Sequence, residues 1–260
     1  MDLGLKDKVI LITGGAEGIG AAITKACLNE RAIPVIINND SPAVQGFAES
    51  LRAGDARFEL ITMLLENPAT CKAAVEEALR RCGRIDALVN NAGVNDKVGL
   101  KSGDPEMFLA SVKRNLWHYY SMAHYALPSL IQSQGSILNI ASKTALTGQG
   151  GTSGYAASKG GVLALTREWA VELLPYLIRV NAIVPSEVLT PQYNRWLATF
   201  PNADEKLRSI TARIPLGERM TSPTEIAATA LFLLSSQSSH TTGQHVCVDG
   251  GYVHLDRAIR

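Results

Sequence analysis

Seven short runs rich in β-branched residues recur along the chain, and longer amphipathic stretches separate them. They read KVILIT, PVIINN, FELITML, IDALVNN, GSILNIAS, IRVNAIV and HVCVDG. A run that is apolar at nearly every position needs cover on both faces, as a strand inside a parallel sheet does. Such strands alternating with helices through right-handed crossovers predict an α/β fold: a single-domain Rossmann-type doubly wound parallel sheet with helices on both faces. No repeat, low-complexity tract or linker divides the chain, so one domain is expected over residues 1–260. The stretch PQYNRWLATFPNADEKLRSITARIPLGERM, residues 191–220, breaks the rhythm by mixing prolines with short helical segments. A lid over a substrate fits that position, and so does a structural excursion.

Composition excludes several classes of function. With 46% hydrophobic and 19% charged residues the chain is globular, and a formal net charge of +1 provides no field for nucleic acid or an anionic membrane. Cys27, Cys71, Cys82 and Cys247 form no Cys-x-x-Cys, so neither a disulfide framework nor a metal site is expected. The opening MDLGLKDKVILITGG reads as neither signal peptide nor anchor, and IAATALFLLSS is too short to cross a bilayer. A soluble cytoplasmic protein is expected.

The first apolar run ends in TGGAEGIG, residues 13–20. Gly14, Gly18 and Gly20 would let the backbone turn tightly and approach a pyrophosphate, with Ile19 inside the turn and the next helix directing its N–H groups at the charge. The spacing differs from Gly-x-Gly-x-x-Gly, and close helix–sheet packing is the other reading. Position at the first strand-to-helix junction favours dinucleotide binding. The second run ends in Asn38 and Asn39, followed by Asp40. Asparagine can hydrogen-bond a ribose hydroxyl, while the Glu17 carboxylate would oppose an extra phosphate. NAD is therefore the favoured cofactor, with NADP possible.

In GYAASKG, Tyr155 and Lys159 stand four residues apart, on one face of a helix. A free phenol has a pKa of about 10 and is a poor base at neutral pH. A neighbouring ammonium, together with the positive ring of an oxidised nicotinamide cofactor, would favour the phenolate. Tyr155 would then take the hydroxyl proton of an alcohol whose carbon gives up hydride. Ser142 follows an apolar run, where such sheets present ligands, and would hold the substrate oxygen. Taken alone, the pair could also be a surface feature opening an ordinary helix.

TGGAEGIG, NNAG at 90–93, Asn115, Ser142, YAASK at 155–159 and VPSEVLT at 184–190 occur in one order. Together they resemble the short-chain dehydrogenase/reductase family over nearly the whole chain. The resemblance implies that Asn115, Ser142, Tyr155 and Lys159 are catalytic. Lys159 would also bind the nicotinamide ribose, and Asn115 would support a water chain. Asn91, Ala92 and Gly93 would face the adenosine ribose and phosphate, and Pro185, Val188 and Thr190 the nicotinamide carboxamide. Two positions depart from the family pattern: Leu64 stands where an acidic residue often meets adenine, and Ser186 replaces a glycine. A homotetramer is implied, with contacts through helices near 104–132 and 155–174 and through the C-terminal strand.

NNAGVND, HYYSMAHY, ASKTALTGQG, LTREWAVEL, SEVLTP and VDGGYVHLDRA resemble bacterial L-fucose dehydrogenases within that family. This implies oxidation of the anomeric hydroxyl of L-fucose or a related aldose to a lactone. Besides Ser142 and Tyr155, the side chains of Asn95, Lys143, Gln149 and Glu187 could meet sugar hydroxyls, and Trp196 could stack on a ring face, although a solvent-facing side chain is the stronger alternative for each. His118 is expected at an interface. Two alternatives stand beside this reading. One is a reductase of 3-oxoacyl carrier-protein or another small ketone, with NADPH and a basic docking patch. The other is a dinucleotide-binding scaffold without turnover.

Overall fold

In the computed structural model, which describes residues 2–255, each apolar run serves two cores at once. Strand β1 (Val9–Thr13) sends Val9 and Leu11 into one core and Ile10 and Ile12 into the other. All four are buried, each worth roughly 1.5–3 kcal/mol relative to exposure. The other strands are β2 (Ile33–Asn38), β3 (Glu59–Thr62), β4 (Ala87–Asn90), β5 (Ser136–Ile140), β6 (Arg179–Pro185) and β7 (His245–Val248). They form one parallel sheet in the order β3-β2-β1-β4-β5-β6-β7. The chain begins at the centre, moves to the β3 edge, then returns past β1 to build the other half. That reversal between β1 and β4 opens a crevice at the carboxyl ends of the strands.

Helices α1 (Gly18–Asn29) and α9 (Pro223–Leu234) cover one face of the sheet. Helices α3 (Pro68–Cys82), α5 (His118–Ser133) and α6 (Ser153–Glu172) cover the other. Helix α2 (Pro42–Ala53) lays Val44 and Leu51 against Ile36 near the β3 edge. Local chemistry sets several helix starts: Asn67 and Thr70 form a capping box on α3, and Ser222 and Glu225 another on α9, each with proline at the first position. Helix α4 (Pro105–Val112) runs through a π-helical turn, Lys113–Trp117, into α5.

The irregular stretch folds as two short helices, α7 (Pro191–Leu197) and α8 (Ala203–Thr211), capped by Thr190 and Asn202. A bridge between Val188 and Thr221 closes its base, so the excursion leaves and rejoins the body at one point. Among the described residues no helix is long and apolar enough to cross a membrane. Asp256, Arg257 and Ala258 of the VDGGYVHLDRA stretch lie outside the described residues.

Candidate active site

The crevice holds a cavity of about 370 Å3. Gly14, Glu17, Gly18 and Ile19 line it beside Asn38 and Asn39. Gly14 and Gly18 adopt left-handed backbone, with φ of +64° and +52°. Gly20 packs behind them: a Cβ there would lie 2.0 Å from the Gly14 carbonyl oxygen. Glu17 is the N-cap of α1, yet its side chain caps no backbone group and lines the cavity. Asn38 braces the turn, its Oδ1 accepting from Ala16 N at 3.0 Å and its Nδ2 donating to Asn39 Oδ1 at 3.2 Å. Leu64 stands outside the cavity wall, 55% exposed beyond the end of edge strand β3.

Thr13 ties this turn to the loop after β4. Its Oγ1 accepts from the backbone N–H of Asn91 and Ala92, at 2.9 and 3.1 Å. Asn91 Nδ2 in turn donates to the Thr13 and Gly14 carbonyls. Asn91, Ala92 and Gly93 all line the cavity. The space above Gly93 is narrow, since a Cβ there would meet Asn115 Oδ1 at 2.9 Å. Asn115 sits fully buried in the π turn, accepting from Val94 N at 2.7 Å and donating to Ser111 O at 3.0 Å. It is thus a helix-interior brace that holds the loop carrying Gly93.

Ser142, Tyr155 and Lys159 meet at the other end of the same cavity. Ser142 Oγ accepts from Thr144 N and Oγ1, which leaves its own proton to donate. Lys159 Nζ donates to Tyr119 Oη at 2.9 Å and to the Ile140 carbonyl at 2.8 Å. It meets Tyr155 through the ring, 5.6 Å from the centroid.

The Lys159 nitrogen thus bonds Tyr119 and Ile140, and in the protein without cofactor burial dominates the acidity of both Tyr155 and Lys159. Burial pushes Tyr155 up to about 12, and the Asp96 charge adds to the rise while a hydrogen bond with Ser142 pulls it back. Burial likewise holds Lys159 down at about 7. Desolvation is thus the largest influence on both groups in the protein alone.

The proposed sugar contacts divide. Lys143 is buried and ion-paired with Glu187, and its Nζ lies 4.1 Å from the centroid of the Tyr252 ring. Sequence reasoning gave both side chains to a ligand, whereas the structure joins them to each other just behind the wall. Trp196 is also outside the wall, edge-on between Tyr193 at 5.1 Å and Phe200 at 4.9 Å. Asn95 Oδ1 accepts from Lys97 N, and Gln149 is exposed on its loop. Pro185, Val188 and Thr190 line the cavity.

Ser186, Tyr193 and Arg195 line the cavity too and were missed. Ser186 Oγ is buried without a hydrogen-bond partner, while Tyr193 hydrogen-bonds Glu187. The Thr190–Pro191 cap could have revealed that a short helix begins there and brings Tyr193 round. His118 is not at the surface: it is buried beside Tyr119, with Nε2 donating to the Arg114 carbonyl at 3.0 Å.

The cradle suits a dinucleotide: two left-handed glycines, a helix start, a glycine shelf and an adjoining lysine surround one cavity. A family model described as enoyl-(acyl carrier protein) reductase matches residues 14–253. The 3-oxoacyl-[acyl-carrier-protein] reductase of Thermotoga maritima is 35% identical over 251 residues, covering 96% of this chain and 99% of that protein. The L-fucose dehydrogenase of Bos taurus is 35% identical over 245 residues, covering 94% and 88%. Among solved structures, the Cj0485 dehydrogenase superposes with a TM-score of 0.94 at 46% identity, covering 99% of this chain and 98% of that one.

Proposed function

The chain belongs to the short-chain dehydrogenase/reductase family of NAD(P)-dependent oxidoreductases acting on CH–OH groups, and we propose that its substrate is a sugar: L-fucose or a related aldose, oxidised at the anomeric carbon to the lactone. The observation that carries the hydride-transfer chemistry is the meeting of Ser142, Tyr155 and Lys159 in the cavity that the glycine turn opens, and the likeness to an L-fucose dehydrogenase is what favours a sugar. Bound oxidised nicotinamide supplies the acceptor for the hydrogen and electron pair leaving carbon, and a positive charge beside the phenol.

Ser142 donates to the substrate oxygen, and Tyr155 takes the hydroxyl proton as the C=O forms. Lys159 holds the nicotinamide ribose and keeps positive charge near Tyr155. Asn115 fixes the loop beneath them. Gly14, Gly18 and Ile19 hold the phosphates, with Gly20 packed behind them to allow the turn, and Asn91 to Gly93 the adenosine side. Pro185, Val188 and Thr190 hold the carboxamide. Glu17 and Asn39 favour NAD over NADP, since a carboxylate opposes a 2′-phosphate and an amide can bond a ribose hydroxyl.

Ser186 and Tyr193 supply hydroxyls at the substrate end, with the Lys143–Glu187 pair as backing. Trp196 comes into play on closure of residues 191–220 as a lid. The bovine relative supports a sugar substrate. The equally similar Thermotoga protein favours a second reading, reduction of 3-oxoacyl carrier-protein.

A panel of aldoses, small ketones and acyl thioesters with NAD(H) and NADP(H) separates the two readings. Fucose-dependent NADH formation is expected; turnover confined to acyl thioesters would overturn the sugar assignment. We also infer a cytoplasmic homotetramer. Exposed Leu109 on α4, Tyr120 on α5 and Val171 on α6 support assembly through those helices, which light scattering tests.

A further inference from the structure

Two tyrosines face one ammonium. Lys159 Nζ lies 4.9 Å from the centroid of the Tyr119 ring and 5.6 Å from that of Tyr155. Its hydrogen bond, however, goes to Tyr119 Oη at 2.9 Å. Tyr119 Oη spends its single proton on the Ile140 carbonyl at 3.0 Å, and Lys159 donates to the same carbonyl at 2.8 Å. The three groups close a ring in which Tyr119 can only accept from the lysine. An ammonium has three N–H donors, so one remains for the cavity.

Packing does not ask for that hydroxyl. Tyr119 is fully buried in the core between sheet and helices, where phenylalanine would fill the same space. A buried hydroxyl is costly unless bonded, and this one finds its partners only in the catalytic lysine and its anchoring carbonyl. Among the described residues no carboxylate lies within ion-pair distance of Lys159 to share the task. His118, from the same turn of α5, is held down at about 4 by burial and by the lysine's charge. Asp96, from the loop after β4, is paired with Arg114 at 3.3 Å and acts on Tyr155.

We propose that Tyr119 is a positioning residue: by accepting from Lys159 it fixes the ammonium at the carboxyl end of β5, keeps it charged beside Tyr155 and leaves one N–H directed to the cavity. This rests on the reading of Tyr155 and Lys159 as the acid/base pair, and the two can fail separately.

The test compares wild type, Tyr119→Phe, Lys159→Met and the double variant. Protein labelled with 13C at lysine Cε is titrated without cofactor, and the Lys159→Met spectrum assigns the Lys159 signal. Tyr119→Phe is expected to lower that midpoint by about one pH unit, the equivalent of one charge-assisted hydrogen bond. With whichever panel substrate turns over, Tyr119→Phe should reduce kcat about tenfold in wild type and less than twofold in Lys159→Met.

An unchanged midpoint overturns the proposal, and so does an equal loss of kcat in both backgrounds, which is what a purely structural tyrosine gives. If Tyr119→Phe folds poorly alone, the double variant should regain stability, because it leaves no buried ammonium short of an acceptor; failure to regain it also counts against the proposal. Retained turnover in Tyr155→Phe would instead refute the acid/base assignment while leaving the lysine midpoint informative.

Discussion

Glycine-to-alanine should have opposite signs at two helical positions. Alanine is the better helix former by about 0.8–1 kcal/mol, so a glycine kept inside a helix needs a reason. Gly46, in α2, has none in the structure: a Cβ there meets nothing within 4 Å. Gly46→Ala should therefore stabilise the protein by about 0.5–1 kcal/mol. Gly20, in the first turn of α1, differs. Its Cβ would lie 2.0 Å from the Gly14 carbonyl oxygen and 2.7 Å from Asn91 Nδ2, whereas real Cβ atoms essentially never approach within 3.0 Å. Relief requires the Gly14 carbonyl to move by about an ångström or more. That carbonyl accepts from Asn91, and Gly14 N donates to Ile37 O at 2.7 Å, so the turn cannot shift without loosening both β2 and the Asn91 loop.

Overpacking of this kind costs about 1–3 kcal/mol. The melting temperature should change by roughly 2–4 °C per kcal/mol, upward for Gly46→Ala and downward for Gly20→Ala. Calorimetric titration with NAD should show unchanged affinity in Gly46→Ala and at least about a tenfold loss in Gly20→Ala, since misplacement of the cradle costs more than about 1.4 kcal/mol. Wild-type stability and NAD affinity in Gly20→Ala would refute the reasoning.

Cofactor choice should move toward NADP in Glu17→Ala combined with Asn39→Arg, because repulsion is removed and a phosphate partner added; the ratio of specificity constants for the two cofactors measures it. Neutralising Glu187 with glutamine leaves Lys143 buried and charged without its partner, so urea unfolding should show a loss of about 3 kcal/mol, largely recovered in Lys143→Met/Glu187→Leu. Lys159 titrates near 10.5 when free and at about 7 in the fold. Between those values the unfolded chain binds the extra proton, so this group makes stability rise with pH across that window, at up to about 1.4 kcal/mol per unit. Lys159→Met should flatten the slope there, as read from unfolding midpoints at successive pH values.

The strands could be read from the chain because a parallel sheet buries both faces, so the runs need no periodicity to be seen. Gly14, Gly18 and Gly20 were legible for a similar local reason: their backbone demands lie within eight residues. Ser142, Tyr155 and Lys159 were legible as motif residues. What Lys159 touches was not, because Tyr119 is 40 residues away and reaches it across the sheet end. Lys143 and Glu187, 44 residues apart, looked like two free polar groups until the fold set the loops after β5 and β6 side by side. Asn38 illustrates the same limit. Its place at the end of β2 was visible, but its bond to Ala16 depends on how the glycine turn lies over β2. The high phenol and low ammonium were hidden too, since desolvation is a property of everything packed around a group.

The central claim is that Tyr155 becomes an available base only when the cofactor is bound. Ultraviolet titration of tyrosinate, wild type minus Tyr155→Phe, tests it with and without NAD. Without cofactor no difference should develop below pH 10, since burial holds this phenol at about 12. With NAD, one extra tyrosinate should develop at least about two pH units lower, the shift that a nearby opposite charge produces. Superimposable difference titrations in the two states would contradict the account.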